Sequence, residues 1–287
     1  MNQVPMPVHP TKPEEASPDT GARRIASAFE AAKTENRAAL IPYVTLGFPT
    51  PDASLALAEA AVSAGADLLE LGVPFSDPLA DGPVIQRATH IALQHGITVG
   101  RCLELVRDLR LRGIMVPLIF MGYYNPILAY GERAFCRACR EAQVDGLIVP
   151  DLPPEEGEAL ERECRTMGLA MIYLLAPTST PERIRFVTER SSGFVYLVSV
   201  AGTTGARERL PADLDSFVAR VRDVTDKPLA VGFGISSPDQ ARQVARQADG
   251  VVVGSALLRR VDTADGIDRA RAFVAELHGA MALNSTS

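Results

Sequence analysis

Residues 69–86 read Leu-Glu-Leu-Gly-Val-Pro-Phe-Ser-Asp-Pro-Leu-Ala-Asp-Gly-Pro-Val-Ile-Gln. The run opens as an apolar strand that holds one carboxylate, Glu70. It continues as a loop punctuated by Gly and Pro that carries two more, Asp77 and Asp81. Burying an unpaired carboxylate is costly, so a charge in such a strand needs a reason. A strand followed by a polar loop is how barrel enzymes build their active sites. Alternation along the strand puts Leu69, Leu71 and Val73 on one face and Leu68, Glu70 and Gly72 on the other. If the first set packs outward against helices, Glu70 points into a barrel near its top. Desolvation there would raise its pKa and suit it to carry a proton. A structural glutamate paired to a neighbour is the competing reading. Asp81-Gly82-Pro83 fits both turn chemistry, with the Asp side chain capping the backbone, and function. Asp77-Pro78 has the same two readings and leans towards structure or a subunit contact.

Outward from this segment, short β-rich runs alternate with longer amphipathic ones. Strand-like runs fall at Leu40–Leu46, Leu68–Val73, Pro117–Tyr123, Gly146–Val149, Met171–Leu175, Phe194–Val198, Leu229–Gly232 and Val251–Gly254. Helical patterns fill most of the gaps, among them Ala53–Ala64, Val99–Arg110, Ala134–Ala142 and Pro238–Gln247. This alternation predicts a parallel sheet, and eight units in this length predict an α/β fold of the TIM (β/α)8 barrel type. A doubly wound open sheet is the runner-up, weakened because no dinucleotide fingerprint follows the first strand. An extra N-terminal helix is expected at about Arg23–Asn36. A second extra helix, Ile85–His95, is expected because the stretch between Pro83 and Pro117 is too long for one. No internal repeat is evident beyond the alternation itself. Residues 1–21 hold five prolines and no hydrophobic period, and read as a flexible or disordered tail. Residues 22–283 read as a single barrel domain.

The chain has 287 residues, 47% of them hydrophobic and 22% charged, which suits a soluble globular protein. The net charge of -6 argues against nucleic acid as a main partner. No apolar stretch reaches the length of a membrane span, and the tail lacks the pattern of a secretory signal, so a cytoplasmic location is expected. Cys136 and Cys139 have CxxC spacing within a helical pattern, but no second Cys or His pair completes a zinc set, and buried thiols are expected for these and for Cys102 and Cys164.

Three glycine-containing loops follow the last three predicted strands: Ala201-Gly-Thr-Thr-Gly205, Gly232-Phe-Gly-Ile-Ser-Ser237 and Gly254-Ser255. Glycines let backbone approach a ligand, and barrel phosphate sites often use the loops after strands seven and eight. Strand-to-helix turns need glycine anyway, yet three such loops at this end of the chain point to phosphate. Ser237-Pro-Asp-Gln240 has capping-box spacing and marks a helix start. Only three lysines exist. Lys12 is in the tail, Lys33 on the first helix, and Lys227 precedes the seventh strand, at the bottom of a barrel. None can form an imine at the top, so an imine-forming aldolase and lysine-linked pyridoxal phosphate are disfavoured. His9, His90, His95 and His278 lack the spacing of a catalytic metal site, and no metal is expected. Carboxylate acid–base chemistry on a phosphorylated small molecule remains.

The run Leu69–Pro83 is close to the signature of the tryptophan synthase α-subunit family. Supporting matches are Pro42-Tyr-Val-Thr-Leu-Gly, Met121-Gly-Tyr-Tyr-Asn-Pro, Val149-Pro-Asp-Leu-Pro, Gly202-Thr-Thr-Gly, Val231-Gly-Phe-Gly-Ile-Ser-Ser-Pro and Gly254-Ser-Ala. The chain resembles that family from about residue 23 to 280. The resemblance implies a TIM barrel that cleaves indole-3-glycerol phosphate to indole and glyceraldehyde 3-phosphate by a retro-aldol step in tryptophan biosynthesis. By motif match, Glu70 is the catalytic acid/base, and Asp81 holds the indole N–H and stabilises developing positive charge. Tyr43, Tyr123, Tyr196 and Phe233 would line the indole and glycerol pocket. Gly205, Gly234, Gly254 and Ser255 would hold the phosphate, and Thr204 lies in a lid-like loop. The resemblance also implies a β subunit carrying pyridoxal phosphate in an α2β2 assembly. The Asp77-Pro78 loop and Met121–Tyr130 are the candidate interface. Alternatives are a lyase working alone, a non-catalytic activator of a β subunit, and another phosphate-binding barrel enzyme.

Overall fold

The structure, a computed structural model, describes residues 20–198, 213–232, 234–262 and 265–282. The expected tail lies outside the described residues as far as residue 19. In chain order the elements are α1 (Gly21–Thr34), β1 (Ala39–Thr45), α2 (Pro51–Ser63), β2 (Leu69–Gly72), α3 (Pro83–Gln94), α4 (Val99–Leu111), β3 (Leu118–Met121), α5 (Tyr124–Tyr130), α6 (Glu132–Glu141) and β4 (Gly146–Ile148). There follow α7 (Glu158–Met167), β5 (Ala170–Ile172), β6 (Leu174–Leu175), α8 (Pro181–Arg190), β7 (Val195–Val198), α9 (Leu214–Arg222), β8 (Leu229–Gly232), α10 (Pro238–Ala245), β9 (Gly250–Val253), α11 (Ser255–Val261) and α12 (Gly266–Ala280).

Every strand pair is parallel, in the order β5-β4-β3-β2-β1-β9-β8-β7-β6. The two ends of this sheet, β5 and β6, are one course of chain interrupted only at Tyr173, whose carbonyl accepts from the Tyr196 N–H at 3.1 Å. The predicted run Met171–Leu175 is therefore two short segments, and with them joined the sheet closes as a (β/α)8 barrel. Parallel strands covered by helices read as continuous apolar runs, and every residue of β1, β2, β3, β8 and β9 is buried.

Helix starts follow local chemistry. Thr20, Thr50, Thr98, Thr180 and Ser237 each accept a backbone N–H three residues on, and Pro51, Pro181 and Pro238 occupy first-turn positions. These caps set α1 and α2 to begin two residues before the sequence-based expectation. Gln240 departs from a strict capping box: its Oε1 accepts from Ser236 N–H at 2.8 Å, one residue before the cap.

Helix α1 covers the barrel's lower end. Phe29 packs on Phe194, and a methyl on Gly250 would come within 2.8 Å of the Phe29 ring. Arg24 donates to the Met115 carbonyl and pairs with Asp145. Lys227 also lies at this end, donating to the Ser191 carbonyl at 2.7 Å, far from the strand ends that carry Glu70. All four cysteines are buried and unbridged; Cys136 and Cys164 face each other with 3.8 Å between sulfurs.

One device recurs at the lower end. Asp67, Asp145 and Asp249 each immediately precede a strand or stand two residues before it. Each accepts a backbone N–H through its carboxylate, from Leu40, Leu118 and Leu229 respectively, at 2.8 Å in every case. Each gives its own N–H back to the carbonyl of the same leucine. An arginine completes each clamp: Arg37, Arg110 and Arg222. The stretches Ala66-Asp67-Leu68, Val144-Asp145-Gly146 and Ala248-Asp249-Gly250 are thus a structural repeat that hydrophobic periodicity conceals.

Candidate active site

Tyr43 of β1 stands level with Glu70 of β2, and Thr45 with Gly72. These inward positions open into a cavity that Tyr43, Glu70, Asp81, Met121 and Tyr196 line on one side. Gly234, Ile235, Gly254, Ser255 and Arg259 line the other. The inward direction expected for Glu70 is thereby met. Two glycines make the space. A methyl on Gly72 would lie 2.0 Å from the Tyr43 hydroxyl, and one on Gly232 would lie 2.2 Å from that of Tyr196. Both tyrosines therefore lie across glycine backbone instead of filling the cavity.

Glu70 is 1% exposed, and its Oε2 has no hydrogen-bond partner among the described residues. Desolvation, with the nearby Asp81 charge, pushes its carboxyl up to about 8. Among the described residues no cation pairs with it, and it lines the cavity. Burial pushes the Tyr43 and Tyr196 phenols up as well, so both hold their protons.

The Asp81 side chain is held by Tyr123 and not by the turn. Helix α3 has Gly82 as its N-cap and no side-chain cap, so the Asp81 carboxylate is not used to cap it. The Tyr123 hydroxyl donates to Asp81 Oδ2 at 3.1 Å and accepts from the Ala80 N–H at 3.0 Å. Gln86 fixes the Asp81 carbonyl at 2.9 Å. Burial lifts the Asp81 carboxyl to about 6, and the Tyr123 hydrogen bond opposes that rise. Asp81 thus ionises below Glu70.

The geometry sorts the remaining expectations. Tyr43, Tyr196, Gly234, Gly254 and Ser255 meet in the cavity lining. Tyr123 packs against Phe75 with the rings tilted and their centroids 5.4 Å apart, and its hydroxyl holds the Asp81 carboxylate; it is not among the described residues that line the cavity. Thr204, Gly205 and Phe233 lie outside the described residues. Asp77 is exposed, and its carboxylate accepts from Ser76. His90 and His95 are exposed on or beside α3. Sequence reasoning missed Ile85, Met121, Ile235, Val252 and Arg259 in the lining. Apolar side chains at strand ends look like any core residue. Arg259, one turn beyond Ser255, was findable from helix spacing.

A closed (β/α)8 barrel with two buried carboxyls in one cavity has the architecture of the barrel enzymes. The profile of the family "Tryptophan synthase alpha chain" matches residues 29–284. The tryptophan synthase alpha chain of Dehalococcoides mccartyi is 48% identical over 254 residues, covering 88% of this chain and 97% of that one. That of Chloroflexus aurantiacus is 48% identical over 262 residues, covering 90% and 98%. Among solved structures, a chain of Mycobacterium tuberculosis tryptophan synthase superposes with a TM-score of 0.85 at 42% identity, covering 91% of this chain and 99% of that one. The tryptophan synthase alpha subunit of Legionella pneumophila superposes with a TM-score of 0.83 at 40% identity, covering 90% and 98%. The chain belongs to the tryptophan synthase alpha chain family. Its activity is the family's, a lyase cleavage of indole-3-glycerol phosphate in tryptophan biosynthesis.

Proposed function

We propose that Glu70 and Asp81 divide the retro-aldol cleavage of indole-3-glycerol phosphate between them. Glu70, protonated near neutrality, gives its proton to indole C3. Asp81, ionised, holds the indole N–H and stabilises the positive charge that protonation places on the ring. The bond from C3 to the glycerol carbon then breaks, and its electron pair restores the aromatic ring. The glycerol hydroxyl on that carbon loses its proton to the Glu70 carboxylate, which leaves glyceraldehyde 3-phosphate and returns Glu70 to its starting state. The protonated ring is the electron sink, so no imine is needed. What carries this reading is one observation: the Glu70 carboxyl is buried, unpartnered at Oε2 among the described residues, and set in the cavity wall with Asp81.

Backbone at Gly234, Gly254 and Ser255, with Gly205, would hold the phosphate, and Thr204 would close over Asp81 as part of a lid. Phe233 would complete the indole wall. The partner is a β subunit with its own pyridoxal phosphate, in an α2β2 assembly in the cytoplasm, and residues 22–283 act as one domain beneath it. Leu79 is 86% exposed beside Asp77, and Leu128 and Tyr130 are exposed on α5. The Tyr123 hydroxyl ties this loop to the start of α5 and to Asp81. A β subunit docked there would therefore reach Asp81 through one hydrogen-bonded group.

The test is indole release from indole-3-glycerol phosphate by the purified chain, with and without a β subunit. Release that quickens with the β subunit is expected. Fast release that ignores it would mean a lyase working alone, and no release in either case would overturn the cleavage mechanism.

A further inference from the structure

We propose that Arg259 is the residue that reads the substrate's charge and sets the preference for a phosphorylated substrate over a neutral one. This rests on the phosphate reading of the Gly234, Gly254 and Ser255 side of the cavity. Among the described lining residues, Arg259 is the one cation, while Glu70 and Asp81 are both acids. A dianionic substrate entering a cavity that holds the ionised Asp81 meets repulsion, and backbone dipoles carry no net charge to offset it. A guanidinium supplies full charge and a planar fork of donors that matches phosphate oxygens.

Position and freedom both favour Arg259 over its neighbour. Arg259 lies four residues after Ser255 on α11, on the same helix face. Helical side chains lean towards the N-terminus, which aims Arg259 back over Ser255. Arg260 is committed elsewhere: its guanidinium stacks 3.5 Å from the Phe273 ring centroid, and its Nη1 donates to the Ala256 carbonyl at 2.6 Å. The nearest acid in sequence, Asp262, pairs with Arg87 of α3. Arg259 forms no ion pair among the described residues and is exposed, so its head can turn to a ligand without breaking a bond.

The experiment compares the full chain with Arg259→Gln and Arg259→Lys, with and without a β subunit. Exchanging one charge-assisted contact, partly screened by solvent, should raise KM for indole-3-glycerol phosphate about tenfold while kcat stays within about twofold. Inorganic phosphate, used as a competitive inhibitor, should lose affinity by a similar factor, and Arg259→Lys should recover part of both losses. The KM of the Gln variant should also depend less on ionic strength than that of the wild type. A Gln variant with unchanged KM and unchanged phosphate inhibition, against a wild type that releases indole, overturns the role of Arg259 alone. A wild type that releases indole but is not inhibited by phosphate, with KM unmoved by the substitution, also overturns it. A wild type that neither releases indole nor binds phosphate overturns the underlying site reading and this inference together.

Discussion

Glu70 combines two properties that are usually opposed. Burial makes it a good acid near neutral pH, and burial makes it a liability to the fold. Its carboxyl is raised from 4.5 to about 8 in the folded chain, so the folded state binds its proton more tightly than the unfolded state does. The unfolded chain therefore holds fewer protons between those values, and stability falls as pH rises through that window. Glu70→Gln removes the ionisation and keeps the shape. It should lower kcat by about 10²–10⁴-fold, the usual size of a general acid–base contribution. It should also raise the melting temperature at pH 8 by at least about 2 °C, with a smaller gain at pH 5. Paired thermal scans and indole assays check both halves; near-normal cleavage would remove Glu70 from the proposed chemistry. The two carboxyls also shape the pH–rate profile. Under the proposed mechanism, with Asp81 ionised and Glu70 protonated, kcat/KM should climb through about 6 and fall through about 8. A profile flat from pH 5 to 9 would contradict that division of labour. Alternation along Leu69–Val73 made the inward direction of Glu70 legible in the sequence. The Asp81 choice was not legible, because a capping aspartate and a catalytic one have the same spacing. It turned on where the carboxylate points, and that depends on Tyr123, forty-two residues away.

At the scale of elements, the upper ends of the strands carry the chemistry and the lower ends hold the barrel shut. The strand runs could be read from β-rich apolar patches, with boundaries moved by a residue or two where threonine caps and prolines fix helix starts. The split at Tyr173 and the short helices α5 and α11 were harder to see, since each is too brief to show a period. The three aspartate clamps were invisible for another reason: each arginine partner sits at a different distance in sequence. Their burial differs, and that grades their contribution. Asp145 and Arg110 side chains are 6% and 5% exposed, and Arg24 adds a second guanidinium. Asp249 and Arg222 are 38% and 37% exposed. Removing one partner of a buried pair strands the other charge and a backbone N–H, so Asp145→Ala should destabilise by about 3–5 kcal/mol. Asp249→Ala leaves its arginine in contact with water and should cost about 1–2 kcal/mol, most of it from the orphaned Leu229 N–H. Urea denaturation of the two variants measures the gap. Equal losses would show that the clamps act through strand geometry alone and not through buried charge.

At the scale of the molecule, exposure of apolar side chains separates two ends with different duties. Leu79 on its loop and Leu128 and Tyr130 on α5 sit above the barrel, whereas Leu111, 86% exposed, ends α4 and Met115, 67% exposed, follows it at the lower end. The sequence motif that named the loop as a candidate interface could not say which residue projects; Asp77 and Leu79 are both exposed, but only Leu79 offers apolar area. An apolar side chain that projects fully into water gains most when a partner covers it, and a charge in its place is desolvated without a counter-ion. Leu79→Glu should therefore weaken the response to a β subunit by about tenfold in the concentration that gives half-maximal stimulation of cleavage. The unstimulated rate should stay within about twofold, because the Ala80 N–H to Tyr123 contact that orients Asp81 is made by backbone and does not involve the Leu79 side chain. Leu111→Glu makes the same chemical change on the opposite end and should leave stimulation unaltered. Titrating each variant with a β subunit while following indole release tests the polarity directly. If both substitutions weakened stimulation alike, general loss of stability would explain the result. If neither did, the partner would have to seat elsewhere on the upper face, away from the loop that carries Asp81.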